Sequence, residues 1–414
     1  MPKLNLFLNS NNSHISDSCE LLRKEIALIR KEQTKALKLL LCNLCIHPNQ
    51  SIRVSRSRNS LGTKRSNPLG IGFDAFRKAL DTLDSHEYIT QDIGSKLENK
   101  QTTIITTPKL IEWFHANSWT EDDIEVFDGQ YVKLRLNEDK RSSIDYEDTD
   151  YSRWLSGELE DYSNLLNSSS LHLMDENDNL EKEYKNLTIA RAFIKHKRHP
   201  INGEFLFGGR MAPPWVNLSK EARKRIIING EPTVELDRPA SHINAMYEVV
   251  TGKPYQDGYP YELFINDSLV PKHIVKNLAS FMQGSKSPLG TAISVGNHYK
   301  REAAKPGAAA KDTFQYEEWL SYKKKVSTSI IIDSFLTKHS LVKDYYMRGK
   351  QYGDRIQCWE SDIVFEVVIE LVKRRIPVLT VYDSFIIQLR YSRLLNELME
   401  DVKFTNRRRL EALA

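Results

Sequence analysis

Pro377-Val378-Leu379-Thr380-Val381-Tyr382-Asp383-Ser384-Phe385-Ile386-Ile387-Gln388-Leu389 is the stretch on which the fold turns. Two short β-branched and apolar runs flank a tight polar step, which predicts a β-hairpin with Asp383 at or beside its turn. An acid there is exposed, and chemistry needs a partner acid. The candidate lies upstream, in Thr233-Val234-Glu235-Leu236-Asp237-Arg238-Pro239-Ala240-Ser241-His242. A strand over 233–236 delivers Asp237 to its end, and Pro239 opens a helix through Tyr247 and Val250 that Gly252 stops. Two carboxylates at two strand ends can hold two divalent ions.

The chain has 414 residues, 40 % of them hydrophobic, enough for two or three domains with real cores. Its net charge is only +4, but the 59 basic residues are clustered, which matters more than their sum. No basic, apolar, small-residue signal opens the sequence, and the longest mostly apolar run, 39–46, is too short to span a bilayer, so the expected location is cytoplasmic, with no membrane partner. Four cysteines are too few for a disulfide framework. Cys42 and Cys45 have metal-site spacing, yet they lie in an apolar helical run with no second Cys/His pair, which reads as core packing.

Upstream of the acids, helical periodicity runs from about 18 to 47, and a basic loop follows over 51–66 with Arg53, Arg56, Arg58, Lys64 and Arg65 interleaved with serines. Residues 72–83 predict an amphipathic helix with Phe73, Phe76, Leu80 and Leu83 on one side. Tyr88-Ile89-Thr90 and 102–107 read as two strands. Helix, basic loop, second helix and two-stranded wing resembles a winged helix. That resemblance implies DNA contact by Arg77, Lys78 and the basic residues of the loop.

From about 137 to 183 the composition turns acidic and polar, which reads as a connector with short helices over 153–166 and 181–194, Trp154 and Leu165 anchoring it. Beyond it the chain becomes basic and aromatic. Gly208 and Gly209 allow close backbone approach, and Arg210 beside them can meet a phosphate. A helix after Pro271 places Lys272 and Lys276 on one face at i,i+4, where like charges suit a polyanion such as a triphosphate. The alanine-, lysine- and glycine-rich stretch 296–315 reads as a mobile loop. A last helix, about 357–374, has a buried stripe of Ile363, Val364, Val367, Val368 and Leu371, with Gln357 and Asp362 as polar exceptions. Asp362 reads as a structural hydrogen-bonding group rather than a third metal ligand.

In this order, Gly209-Arg210 with Asn217-Leu218, Asp237 at a strand end, Lys272 and Lys276, Gln357 five residues before Asp362-Ile363, and hairpin Asp383 together resemble the palm and fingers of family A DNA polymerases and the related single-subunit RNA polymerases. The similarity covers roughly 208–389. It implies an α+β chain with an antiparallel palm sheet and helical fingers, in three parts: a winged-helix-like domain over 1–120, an acidic helical connector or reduced thumb over 121–195, and the polymerase part over 196–414. There are departures. Tyr382 replaces the family's usual histidine, Ser384-Phe385 is closer to the RNA polymerase form, the ribose-excluding glutamate falls on His242, and the fingers tyrosine falls on Gln283.

The resemblance implies template-directed DNA synthesis from dNTPs on a primer, by two-metal phosphoryl transfer. Asp237 and Asp383 would bind two Mg²⁺ ions, or Mn²⁺ in their place; Lys276 would neutralise the leaving phosphates; Lys272, Arg210, His242 and Gln357 would contact the nucleotide. Two alternatives share much of this sequence: an RNA-synthesising primase or transcriptase, or a template-independent terminal transferase, on the same palm; and a non-catalytic DNA-binding regulator built on a decayed one.

Overall fold

The computed structural model describes residues 2–57, 61, 67–95, 100–126, 130–137, 143–196, 204–305 and 309–401. The chain is mixed α+β, its named strand pairs are antiparallel, and it divides into two compact units, Met1–Ser156 and Gly157–Ala414. Among the described residues no helix is long and apolar enough to cross a membrane.

In the first unit, β1 (Leu8–Asn9) later pairs with β5 (Glu125–Val126). The single periodic run read from the sequence is two helices, α1 (Ser13–Glu25) and α2 (Lys31–Ile46). Arg23 and Lys24 end the first, and Ala27, at a left-handed φ of 56°, turns the chain into the second. The buried side of α2 includes Leu37, Leu40, Leu41 and Leu44; Cys42 is wholly buried among them and acts as a small apolar residue. Then come β2 (Ile52–Val54), α3 (Phe73–Ser85), β3 (Ile89–Asp92) and β4 (Thr102–Thr106), with sheet order β2-β4-β3. Phe76, Leu80 and Leu83 turn one face of α3 inward against α2, and α4 (Pro108–Ala116) starts on a proline whose missing N–H costs nothing there. A short hairpin of β6 (Val132–Leu136) and β7 (Ser143–Ile144) follows.

The acidic segment is more ordered than its composition predicts. It contains α5 (Asp150–Asn167), within which the division between units falls, then β8 (Leu171–Met174) and β9 (Leu180–Glu183). Leu155, Leu159, Tyr162 and Leu166 recur at helical spacing and are fully buried, so the acids occupy the other faces. Trp154, expected as an anchor, is 43 % exposed, and the expected helix over 181–194 is replaced by β9 and by β10 (Arg191–Lys195).

The second unit is organised on a six-stranded antiparallel sheet. After β10 come β11 (Gly208–Met211), α6 (Lys220–Arg223), β12 (Ile226–Ile228) and β13 (Glu231–Asp237), then α7 (Ser241–Thr251) and a hairpin of β14 (Phe264–Ile265) and β15 (Ser268–Leu269). Five helices follow: α8 (Lys272–Gly284), α9 (Pro288–Ala303), α10 (Ala310–Lys325), α11 (Thr328–Lys338) and α12 (Lys350–Lys373). The chain closes with β16 (Val378–Val381), β17 (Ser384–Gln388) and α13 (Ser392–Asp401), and the sheet order is β16-β17-β13-β12-β8-β9. The stretch read as a mobile loop lies in α9 and α10 on either side of 306–308, which fall outside the described residues. Ser287 caps α9 by accepting from the Gly290 N–H at 3.1 Å, Pro288 begins it, and its alanines and lysines are good helix formers.

Helix α12 is buried over most of its surface and packs on α7, α8 and β11. Its Ile356, Trp359 and Ile363 share one core with Met246 of α7, Leu278 of α8 and Phe335 of α11. The sheet behind is fastened by α5, where the Tyr162 hydroxyl donates to the Val378 carbonyl at 2.7 Å.

Candidate functional site

The site begins with register. β13 and β17 pair so that Asp237 lies opposite Ser384, and β16 and β17 pair so that Val381 also lies opposite Ser384, leaving Tyr382 and Asp383 as the two-residue turn. The backbone ties the two acids together: the Arg238 N–H donates to the Asp383 carbonyl at 3.2 Å. The Ser384 hydroxyl donates to Asp237 Oδ1 at 2.9 Å. Asp237 is exposed at its strand end and Asp383 is half-buried. Burial, the nearby Glu360 carboxylate and Asp237 together push the Asp383 carboxyl up to about 6.

Beside the acids lies a charge network that the sequence does not disclose. Glu360 of α12 is 2 % exposed and receives the Arg210 guanidinium, Nε at 3.1 Å and Nη2 closer still. Its other oxygen meets His242 Nε2 at 3.1 Å. Burial alone would raise the Glu360 carboxyl, but the His242 and Arg210 charges and their hydrogen bonds bring it down to about 2. His242 moves the other way: against burial, Glu360 raises it, and Gln283 Oε1 receives its Nδ1 at 2.7 Å, so both ring nitrogens donate. The Gln357 amide oxygen, oriented to satisfy its neighbours, accepts from Arg210 Nη1 at 2.9 Å. The Arg210 guanidinium also lies over the Tyr382 ring, 5.1 Å from its centre.

Arg210 is placed by another arginine, which is buried. Arg191, 1 % exposed, donates through Nε to the Gly209 carbonyl at 2.6 Å and pairs with Asp362 at 2.7 Å. Gly209 has a left-handed φ of 76°, and a Cβ there would sit 2.8 Å from both Arg191 Nη2 and the Phe193 ring. The close approach expected of this glycine is therefore real, and Asp362 is the structural partner expected of a polar exception on an apolar stripe.

Five of the predicted positions thus share one neighbourhood: Asp237, Asp383, Arg210, His242 and Gln357. Lys272 and Lys276 are exposed on α8, and Lys272 Nζ lies 4.1 Å from the centre of the Tyr259 ring. Lys276 precedes Gln283 by seven residues, two turns on the same side of the helix and about 10 Å along its axis. In the first unit Arg53, Arg77 and Lys78 are exposed, whereas Arg56 is engaged with Asp81 and Gln91, each at 2.8 Å. Arg58, Lys64 and Arg65 lie outside the described residues.

Among the described residues no three His, Cys, Asp or Glu side chains cluster as a metal site, so the two acids are the candidate ligands. Two carboxylates at adjacent strand ends, one disfavoured in its charged form by burial and by its neighbours' charge, are hard oxygen donors of the kind that Mg²⁺ or Mn²⁺ takes. Compared with known proteins, the chain matches no protein-family model, no curated protein and no solved structure.

Proposed function

We propose that the chain is a nucleotidyltransferase of the family A polymerase type, extending a DNA primer on a template from dNTPs, with β13, β16 and β17 as palm and the helices from α8 to α12 supplying the fingers. One observation carries this reading: Asp237 and Asp383, 146 positions apart in the chain, lie on adjacent strand ends with Asp383 pushed up to about 6. Asp237 and Asp383 would hold Mg²⁺, which when bound supplies a lowered hydroxyl pKa and neutralises developing charge on the phosphates. Arg210, kept in place by Glu360, binds phosphate oxygens through the in-plane N–H groups its protein partners leave; Lys272 and Lys276 add cations along α8. Primer extension, with each ribo- and deoxyribonucleotide tested separately and with and without template, checks this. Template-dependent dNMP incorporation is expected, and Mg²⁺-independent or absent product sinks it.

The first unit supports a winged-helix reading through its order α2, β2, α3, β3, β4 and the sheet order β2-β4-β3. In that reading α3 is the groove-facing helix, with Arg77 and Lys78 exposed on it. Replacing both by alanine is expected to weaken duplex binding and to reduce the slope of log affinity against log salt by about 2, since each phosphate that a cation neutralises adds about 0.9 to it. Fluorescence anisotropy across a salt series measures it; an unchanged slope removes α3 from the interface.

A further inference from the structure

Tyr382 occupies a turn position that its side chain does not suit. It is the first of the two residues linking β16 to β17, and its φ is 57°. A left-handed φ there favours glycine, and for a bulky side chain it is strained. Burial does not offset that strain, because the residue is 48 % exposed. What the ring does contact is Arg210, whose guanidinium lies over its face at 5.1 Å. Glu360 and Gln357 accept from the edge of the same guanidinium. A ring against the flat face fixes a guanidinium while leaving in-plane N–H groups for hydrogen bonds.

We propose that Tyr382 is a positioning residue: the strained turn presents its ring to the face of Arg210 and holds that guanidinium beside the Asp237–Asp383 pair, aimed at the phosphates of a polyphosphate ligand. The polyphosphate rests on the function proposed above; the ring's hold on Arg210 does not. Sequence supports a dedicated role, since glycine or asparagine at 382 would form the turn without strain.

The test separates the two. Arg210 Nε–H, assigned in a ¹⁵N NMR spectrum by its loss in Arg210→Lys, is expected to be displaced by the ring and slow to exchange. Tyr382→Phe retains that signal position; Tyr382→Leu and Tyr382→Gly lose it. The glycine variant is expected to melt a few degrees above the leucine variant, because both lack the ring and only glycine relieves the turn. Binding of inorganic tripolyphosphate with Mg²⁺, followed by calorimetry, is expected to weaken about tenfold in the Leu and Gly variants and to be preserved in the Phe variant. An Arg210 signal unmoved in Leu and Gly, or a glycine variant no more stable than leucine, overturns the proposal. Signals and affinities that change as expected in a protein that incorporates no nucleotide remove only the nucleotidyl-transfer reading.

Discussion

Asp383→Asn is expected to abolish nucleotide incorporation and, at pH 8, to raise the melting temperature. The two effects have one cause. Burial, Glu360 and Asp237 push the Asp383 carboxyl from its ordinary 3.8 up to about 6. The folded state therefore binds this proton more tightly than the unfolded chain, so stability falls as pH rises from about 4 to about 6 and then levels off. A shift of about two units corresponds to about 3 kcal/mol of destabilisation above pH 6. Asparagine removes the charge and with it that cost, which in a unit of this size amounts to several degrees. It also removes a ligand oxygen's charge, so Mg²⁺ binding and transfer fail. Thermal melts of both proteins at pH 4 and pH 8 check the stability arm: the gap is expected at pH 8 and nearly closed at pH 4. A variant less stable than the parent at pH 8 would show that favourable contacts outweigh the repulsion at this carboxylate, and incorporation at the parent rate would end its catalytic assignment.

The hairpin that carries Asp383 was legible because its strands are short, apolar and β-branched, with β16 buried throughout and β17 buried beyond Ser384. Asp237 was legible from the β-branched Thr233 and Val234 and from Pro239 after it, though its strand begins two residues earlier than expected and none of its residues is fully buried. Helix α12 was legible only from Gln357 onward; its first turns, Lys350 to Ile356, mix polar residues into a helix that is buried on several sides and so show little periodicity. Composition misled where charge and burial occupy opposite faces of one element. The acids of 137–183 hid the buried leucines of α5, and the alanines, lysines and glycines of 296–315 hid the end of α9 and the start of α10 behind what reads as a loop. Within the site, Glu360 was missed although it interrupts an apolar helix between Trp359 and Ile363. Its partners are distant in sequence, Arg210 lying 150 residues upstream and His242 also on an earlier element, and a buried acid is distinguishable from a surface one only when its counter-charge is known. The pairing of Arg191 with Asp362 spans 171 residues and is invisible on the same ground.

Glu360→Gln is expected to cost about 3 kcal/mol, in the range found when one partner of a buried ion pair is removed. Glutamine keeps the shape but leaves the Arg210 and His242 charges facing each other without an anion between them. His242 then loses the carboxylate that raises it, while burial and Arg210 still push its pKa down and the Gln283 hydrogen bond alone holds it up, so its pKa falls. In the parent, the depressed Glu360 adds stability above its ordinary 4.5, and that contribution is lost as pH falls toward 2. The raised His242 adds stability that is full below its ordinary 6.5 and lost as pH rises through its higher folded value. The parent's advantage over the variant is therefore greatest between about 4.5 and 6.5, the window that melts across pH would trace. Glu360 acts oppositely on Asp383, whose carboxyl it helps to push up, so the same substitution lets Asp383 ionise at lower pH. Mg²⁺ binding, measured by calorimetry as a function of pH, is then expected to persist to more acidic conditions in Glu360→Gln even as the fold weakens. A variant whose Mg²⁺ profile does not move would uncouple Glu360 from the two acids and leave it a purely structural anchor for Arg210 and His242.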